Sequence, residues 1–348
     1  MIPIRNIYYM LSYAFRILKE QGYKNVETED FKNTADLFAA ILSSGLASEI
    51  KRGMRREYIG MTESRSVPKG KLEIAESLKK RMPSKQQLVC SFDEFSMNSR
   101  MNRVLKSSLL LLLRSVIAPE RKKRLKRLLH YFTDVEEINL RRVDWNFRYD
   151  RNNQTYRMFM AICQLLAKGL LQTRSDGSTK LMDFLDEQRM SALYERFLLA
   201  YYKREFPALN AGAYQIKWHL DDGMDEMLPA MQSDIMLSDG KTTLIIDAKY
   251  YARTTQSQYE TKKLHSGNLY QIFTYVKNKA AAMKGQPHEV SGMLLYARTD
   301  EEIVPNHVYQ MSGNRIAVRT LDLSADFSSI REQLDRIVIT FFPALAVS

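Results

Sequence analysis

Between Ser233 and Lys249 the chain reads Ser-Asp-Ile-Met-Leu-Ser-Asp-Gly-Lys-Thr-Thr-Leu-Ile-Ile-Asp-Ala-Lys, a pattern compatible with very few local folds. Ser238-Asp239-Gly240 is turn chemistry, and the β-branched run from Thr242 to Ile246 has the character of a buried strand. Ile235 to Leu237 supplies the matching short strand. The spacing predicts a β-hairpin in which Asp234 and Asp247 lie side by side. Two carboxylates held together in an apolar hairpin repel each other unless a cation sits between them, and hard oxygen ligands select Mg²⁺, with Mn²⁺ as a substitute. Lys249 projects to the same face as Asp247, because side chains two apart on a strand point together. Its ammonium is suited to steadying an attacking water or a pentavalent phosphate. The backbone carbonyl of Ala248, between them, is a candidate further metal ligand.

An Asp-x-Lys at a strand end is common in ordinary hairpins, so the order of the surrounding features matters. Downstream, the stretch from Asn268 to Tyr275 begins a helix that puts Gln271 and Tyr275 on one face, four residues apart. Asp234, Asp247, Lys249, Gln271 and Tyr275 in this order match the PD-(D/E)xK nuclease pattern in its D…DxK…QxxxY form. Upstream, Met190 to Phe206 has helical periodicity with Leu193, Phe197, Leu198 and Tyr201 as its apolar stripe. Glu195 lies in that helix and has two open readings. It completes the metal shell, as a glutamate does in many nucleases of this pattern, or it is a solvated partner of Arg196 or Arg189.

A formal net charge of +12 and a pI near 9.4 favour a polyanionic partner. Cys90 and Cys163 are isolated, which argues against a zinc site and for a reducing, cytoplasmic setting. The start of the chain lacks an export signal, and the longest leucine run, Leu109 to Leu113, is far too short to span a bilayer. No phosphate-cradling glycine loop is present, so this chain is expected to bind no nucleotide itself. A motor, where one is needed, has to be another chain.

At 348 residues, two domains are expected. Helices are expected over Arg5 to Gln21 and Thr34 to Gly53, both packed in the N-terminal half. Strands joined by a turn at Pro68-Lys69-Gly70 are expected between Arg56 and Ile74, with another over Gln87 to Phe95, in a small mixed or barrel-like unit. Further helices cover Met101 to Ile117, Glu120 to Phe132 and Thr155 to Leu171. The basic run Arg121 to Arg127 is a phosphate-binding or docking surface, or a solvated helix face. Arg174 to Thr179 reads as a linker. The expected architecture is mixed α/β (α+β): residues 1–178 form a partner-binding domain of helices and strands, and residues 179–348 form a PD-(D/E)xK restriction-endonuclease-like domain.

Taken in order, these features resemble the McrC family, the nuclease subunits of McrBC modification-dependent, type IV restriction systems, nearly end to end. Ile2-Pro3-Ile4-Arg5-Asn6-Ile7-Tyr8-Tyr9-Met10-Leu11 is similar to the family's opening motif. Pro68-Lys69-Gly70-Lys71-Leu72-Glu73 is similar to its G-[KR]-[IL]-[ED] hairpin, and Ile246-Asp247-Ala248-Lys249-Tyr250-Tyr251 to its D-A-K-Y-Y core. Asn268-Leu269-Tyr270-Gln271 also matches. One departure is Gln232-Ser233 ahead of Asp234, where the general nuclease pattern often has proline.

The resemblance implies a partner, a hexameric AAA+ GTPase of the McrB type, whose channel receives the N-terminal half of this chain and whose hydrolysis is stimulated by it. It also implies cleavage of double-stranded DNA carrying modified cytosine by the C-terminal domain. Two other readings remain open from sequence: a regulatory adaptor of a motor with weak or no nuclease activity, and a stand-alone DNA-repair nuclease.

Overall fold

The computed structural model describes residues 2–15, 31, 33–80, 86–149, 154–170, 187–250, 255–258, 261–285, 287–298 and 304–347. It is a mixed α/β chain in two compact units. One comprises Met1–Leu18 with Phe184–Ser348, and the other is Lys19–Asp183. The second unit is therefore inserted into the first. The linker expected at Arg174 to Thr179 lies outside the described residues. Among the described residues, no helix is long and apolar enough to cross a membrane.

The first helix, α1 (Ile4–Ala14), is assigned differently from the sequence expectation, because it belongs to the unit built from the C-terminal half. Helical periodicity identifies an apolar face without saying which core will cover it. Here Asn6 Nδ2 donates to the carbonyls of Leu323 and Ala325, at 2.9 and 2.7 Å, and Tyr9 stacks on Phe327 with ring centroids 4.4 Å apart.

In the inserted unit, α2 (Thr34–Arg52) opens on Asn33, whose side chain accepts the Asp36 amide, and stops at Gly53, where φ is +93°. β1 (Glu57–Arg65), β2 (Lys71–Leu72) and β3 (Leu88–Ser96) form an antiparallel sheet in the order β1-β3-β2. The strands flanking Pro68-Lys69-Gly70 thus do not pair with each other as a hairpin, and the unit is an open sheet rather than a barrel. β3 offers β1 a ladder nine residues long, from Glu57↔Ser96 to Arg65↔Leu88, while β2 takes the far edge of β3. A short helix, α3 (Ile74–Lys79), returns to the sheet through Ser77 Oγ, which accepts the Val89 amide at 2.7 Å.

Helices α4 (Arg100–Leu113), α5 (Pro119–Leu129) and α6 (Gln154–Leu170) complete this unit. The basic run is now divided. Leu125 and Leu128 face inward, Lys123, Arg124, Lys126 and Arg127 face out, and Arg121 turns back to the buried Asp36 at 2.7 Å. The other Asp36 oxygen accepts the Ala118 amide at 2.9 Å. Asp36→Ala removes a carboxylate that satisfies a backbone amide and a partly buried guanidinium, so it should cost about 3–5 kcal/mol. A thermal melt of the whole chain would show this as a lower first transition, and an unshifted melt would refute it.

The other unit is built on a five-stranded sheet in the order β11-β12-β10-β7-β6. Its strands are β6 (Ile235–Ser238), β7 (Thr242–Lys249), β10 (Glu289–Ala297), β11 (His307–Met311) and β12 (Asn314–Leu321). β7, β10 and β12 run parallel, while β6 and β11 close the edges antiparallel. Small ribbons, β4 (Gln215–Ile216) with β5 (Met231–Gln232) and β8 (Thr255–Gln258) with β9 (Thr261–Leu264), precede β6 and follow β7. Three helices pack on the sheet: α7 (Glu187–Glu205) on β6 and β7, α8 (Ser266–Ala282) mainly on β10, and α9 (Phe327–Phe341) on β12. Ile272 and Val276 of α8 form one core with Ile245, Leu294, Tyr296, Ile316 and Val318.

Candidate active site

The hairpin forms as its sequence predicts. Asp239 Oδ1 accepts the amides of Lys241 and Thr242, and Gly240 adopts φ +95° in the turn, a conformation that glycine takes without strain. Pairing of Ile235 with Ile246 puts Asp234 opposite Asp247. Asp234 Oδ2 accepts the Ala248 amide at 2.9 Å, which fixes that carboxylate against the end of β7. Ser233, buried just ahead of it, exchanges hydrogen bonds with the Tyr214 backbone and fixes the entry to the site.

Lys249 Nζ lies 2.7 Å from Asp247 Oδ2 and donates to Gln271 Oε1 at 3.2 Å. Gln271 Nε2 in turn donates to the Tyr275 hydroxyl at 2.9 Å. The structure therefore joins Asp247, Lys249, Gln271 and Tyr275 in one polar chain, with Asp234 beside it. The i, i+4 spacing on α8 brings Gln271 and Tyr275 together as a helix requires.

The Asp247 carboxyl is 3% exposed and is pushed up to about 7. Burial is the main cause, and the charge of Asp234 adds to it while Lys249 opposes both. Glu195 is also raised, first by partial burial and then by the charge of Asp234, with Ser191 and Lys249 opposing; Ser191 Oγ donates to it at 3.0 Å. Next to it, Tyr194 donates to the Leu295 carbonyl at 3.4 Å and packs edge-on against Tyr250, which sets this turn of α7 level with the end of β7. Among the described residues, no group of three or more His, Cys, Asp or Glu side chains is arranged to hold a metal ion. Asp234 and Asp247 stand as a pair, with one carboxyl held near neutrality by burial and by its neighbour.

Two residues to which the sequence alone assigned no role help to build this site. Asn268, buried in the first turn of α8, donates to the Tyr296 hydroxyl at 3.0 Å and ties the helix to β10. At Gly292, a Cβ would lie 2.7 Å from Val276 and 2.8 Å from Ile272, so the missing side chain lets α8 approach the sheet. A lone glycine inside the strand-like Glu289-Val-Ser-Gly-Met-Leu-Leu-Tyr is the signal that could have found it.

A mixed α/β chain whose sheet ends in paired aspartates and a lysine has relatives of known type. Residues 4–297 match the family described as McrBC 5-methylcytosine restriction system component, and the chain belongs to that family. It is 28% identical over 346 residues to the type IV methyl-directed restriction enzyme EcoKMcrBC of Escherichia coli (strain K12), with 96% of each chain covered. It is also similar to a solved half-complex from a tetradecameric assembly of Thermococcus gammatolerans McrB AAA+ hexamers with bound McrC. There the identity is 20% and the TM-score 0.47, over 96% of this chain and 76% of that one. A cryo-EM structure of the Thermococcus gammatolerans McrBC complex matches at 23% identity and a TM-score of 0.40, over 58% of each chain. The McrC resemblance read from the sequence motifs is borne out by the family match.

Proposed function

We propose that this chain is the nuclease subunit of a McrBC-type restriction complex, a DNA endonuclease that works with an NTP-driven AAA+ hexamer and also stimulates its hydrolysis. The observation that carries the reading is the polar chain from Asp247 through Lys249 and Gln271 to Tyr275, beside Asp234. Its residues fall in PD-(D/E)xK order at the end of a sheet flanked by helices. The methyl-directed relative and the hexamer-bound McrC structure supply the substrate and partner, both carried over here as proposals: double-stranded DNA with modified cytosine and a McrB-like hexamer.

The donor set suits a divalent cation. A buried Asp247 carboxyl pushed up to about 7 beside a second carboxylate gains from a cation that favours its charged form. Asp234, Asp247 and the Ala248 carbonyl would hold Mg²⁺ or Mn²⁺. When bound, the ion neutralises a phosphate oxygen and lowers the pKa of a coordinated water.

The chain's own groups do the rest. Lys249 carries positive charge to the phosphate and orients the water, Gln271 keeps that ammonium aimed, and Tyr275 closes the row on α8. Glu195 borders the pair from α7. Lys249→Met keeps length while removing charge, so it should lower the cleavage rate about 10²–10³-fold with the partner's hydrolysis unaffected. Single-turnover cleavage measures this, and a rate within threefold of wild type would remove Lys249 from the mechanism.

The experiment that tests the function uses methylated and unmethylated plasmid with Mg²⁺, the motor and nucleotide, omitting each in turn. Cutting of methylated plasmid only with the complete set is the expected result. Intact DNA in every lane with hydrolysis still stimulated would establish an adaptor instead. Robust cutting by the chain alone would establish a stand-alone nuclease.

A further inference from the structure

The opening helix α1 has no part in the functional reading above, yet it is among the most completely buried elements of its unit. Ile7, Tyr8, Met10, Leu11 and Tyr13 are buried, and so is the amide of Asn6. Burying a primary amide is costly unless its donors are used, and here both go to backbone carbonyls of the loop between β12 and α9. Tyr9 adds its stack on Phe327 in the first turn of α9. One side of α1 is thus fastened to the loop that leaves β12 at the same end of the sheet as Lys249.

The rest of α1 is fastened to α7, the helix that carries Glu195. Tyr13 packs on Phe197 and Tyr201, and its hydroxyl donates to Glu205 at 2.9 Å. Arg196, the neighbour of Glu195, sits 5.2 Å over the ring of Phe15. α7 has its own footing on β6 and β7, but its outer side rests on α1. Sliding or rotating α7 by even part of a turn moves Glu195 relative to the end of β7, where Asp234 and Lys249 stand.

We propose that α1 is a positioning element of the carboxylate site, with Asn6 as its anchor: by pinning α1 to the β12–α9 loop, Asn6 fixes α7, the helix that packs on β6 and β7 and carries Glu195 beside Tyr194 at the end of β7. This rests on the reading of Asp234 and Asp247 as metal ligands and adds to it a part for the N-terminal motif. The role acts through Glu195, and Asn6 itself touches nothing that reacts.

The test is Mn²⁺ binding to the full chain by calorimetry, with cleavage in the presence of motor and nucleotide as a second readout. Asn6→Ala should weaken Mn²⁺ binding about tenfold, the effect of losing an outer support of a metal site. Glu195→Gln should weaken it by a comparable factor, and the double variant should lose little more than either alone, because both changes break one link. Tyr13→Phe keeps the ring and should cost two- to threefold, so it replaces Asn6→Ala in the cycle if that variant does not fold.

Wild-type Mn²⁺ affinity in folded Asn6→Ala, or in Tyr13→Phe where Asn6→Ala does not fold, would overturn the proposal. So would full additivity with Glu195→Gln, since a purely stabilising role for α1 shifts melting without entering the cycle. Failure of the wild-type chain to bind Mn²⁺ would overturn the metal reading itself, which separates the two ideas.

Discussion

Asp247→Asn should abolish DNA cleavage, by at least about 10³-fold, while making the cation-free protein more resistant to heat at pH 8. The two halves of this expectation share one cause. The buried Asp247 carboxyl is pushed up to about 7, above the ~3.9 it would have in an unfolded chain. Between those values the native state binds more protons than the unfolded one, so this group's contribution to stability falls as pH rises from about 4 to about 7. Above that range the folded protein carries an ionised buried carboxylate beside Asp234. The amide removes that burden, and with it the proposed metal ligand.

Melting curves at pH 5 and pH 8 check the stability half. The variant's advantage should be full at pH 8 and fall to about a third of that at pH 5, vanishing only near pH 4. Mg²⁺ should raise the melting temperature of wild type at pH 8 and leave the variant unmoved, because an ion that binds only the native state stabilises it by mass action. A variant that melts below wild type at pH 8, or that still cuts, would contradict the assignment of Asp247.

The hairpin was legible because its signals are local. Turn residues, a β-branched run and two-residue alternation act within a dozen positions, and they put Asp234, Asp247 and Lys249 together without any knowledge of the remaining fold. Gln271 and Tyr275 were legible for the same reason, as a four-residue spacing on a helix. What sequence could not give were the choices of partner. The periodicity of α1 showed a buried face but not that α7 and α9 would bury it. The strands around Pro68-Lys69-Gly70 were found, but not that each would pair with β3. The basic run looked uniform, although Arg121 alone is spent on Asp36. Asn268 read only as the start of a helix and Ser233 as the lead into the hairpin, and the approach of Tyr296 and Tyr214 gives them roles.

Gly292→Val should damage the site from a distance. An added Cβ meets Val276 at 2.7 Å, Ile272 at 2.8 Å and Ile316 at 3.0 Å, all buried core side chains, so nothing near it can move into solvent. Two of the three belong to α8, and they are the immediate neighbours of Tyr275 and Gln271. The helix must rise from the sheet to admit the branched side chain, and overpacking of this kind costs about 1–3 kcal/mol. The greater effect is geometric. A displacement of about 1 Å takes Gln271 away from Lys249, and misplacement on that scale lowers rates about 100-fold. Gly267→Ala is the control: it lies on the same helix with nothing within 4 Å of its Cβ position, and it should cut normally. Cleavage assays on the two variants, with partner hydrolysis measured alongside, decide the matter. Full activity in Gly292→Val would mean that the close seat of α8 on β10 does not set the position of Gln271 and Tyr275.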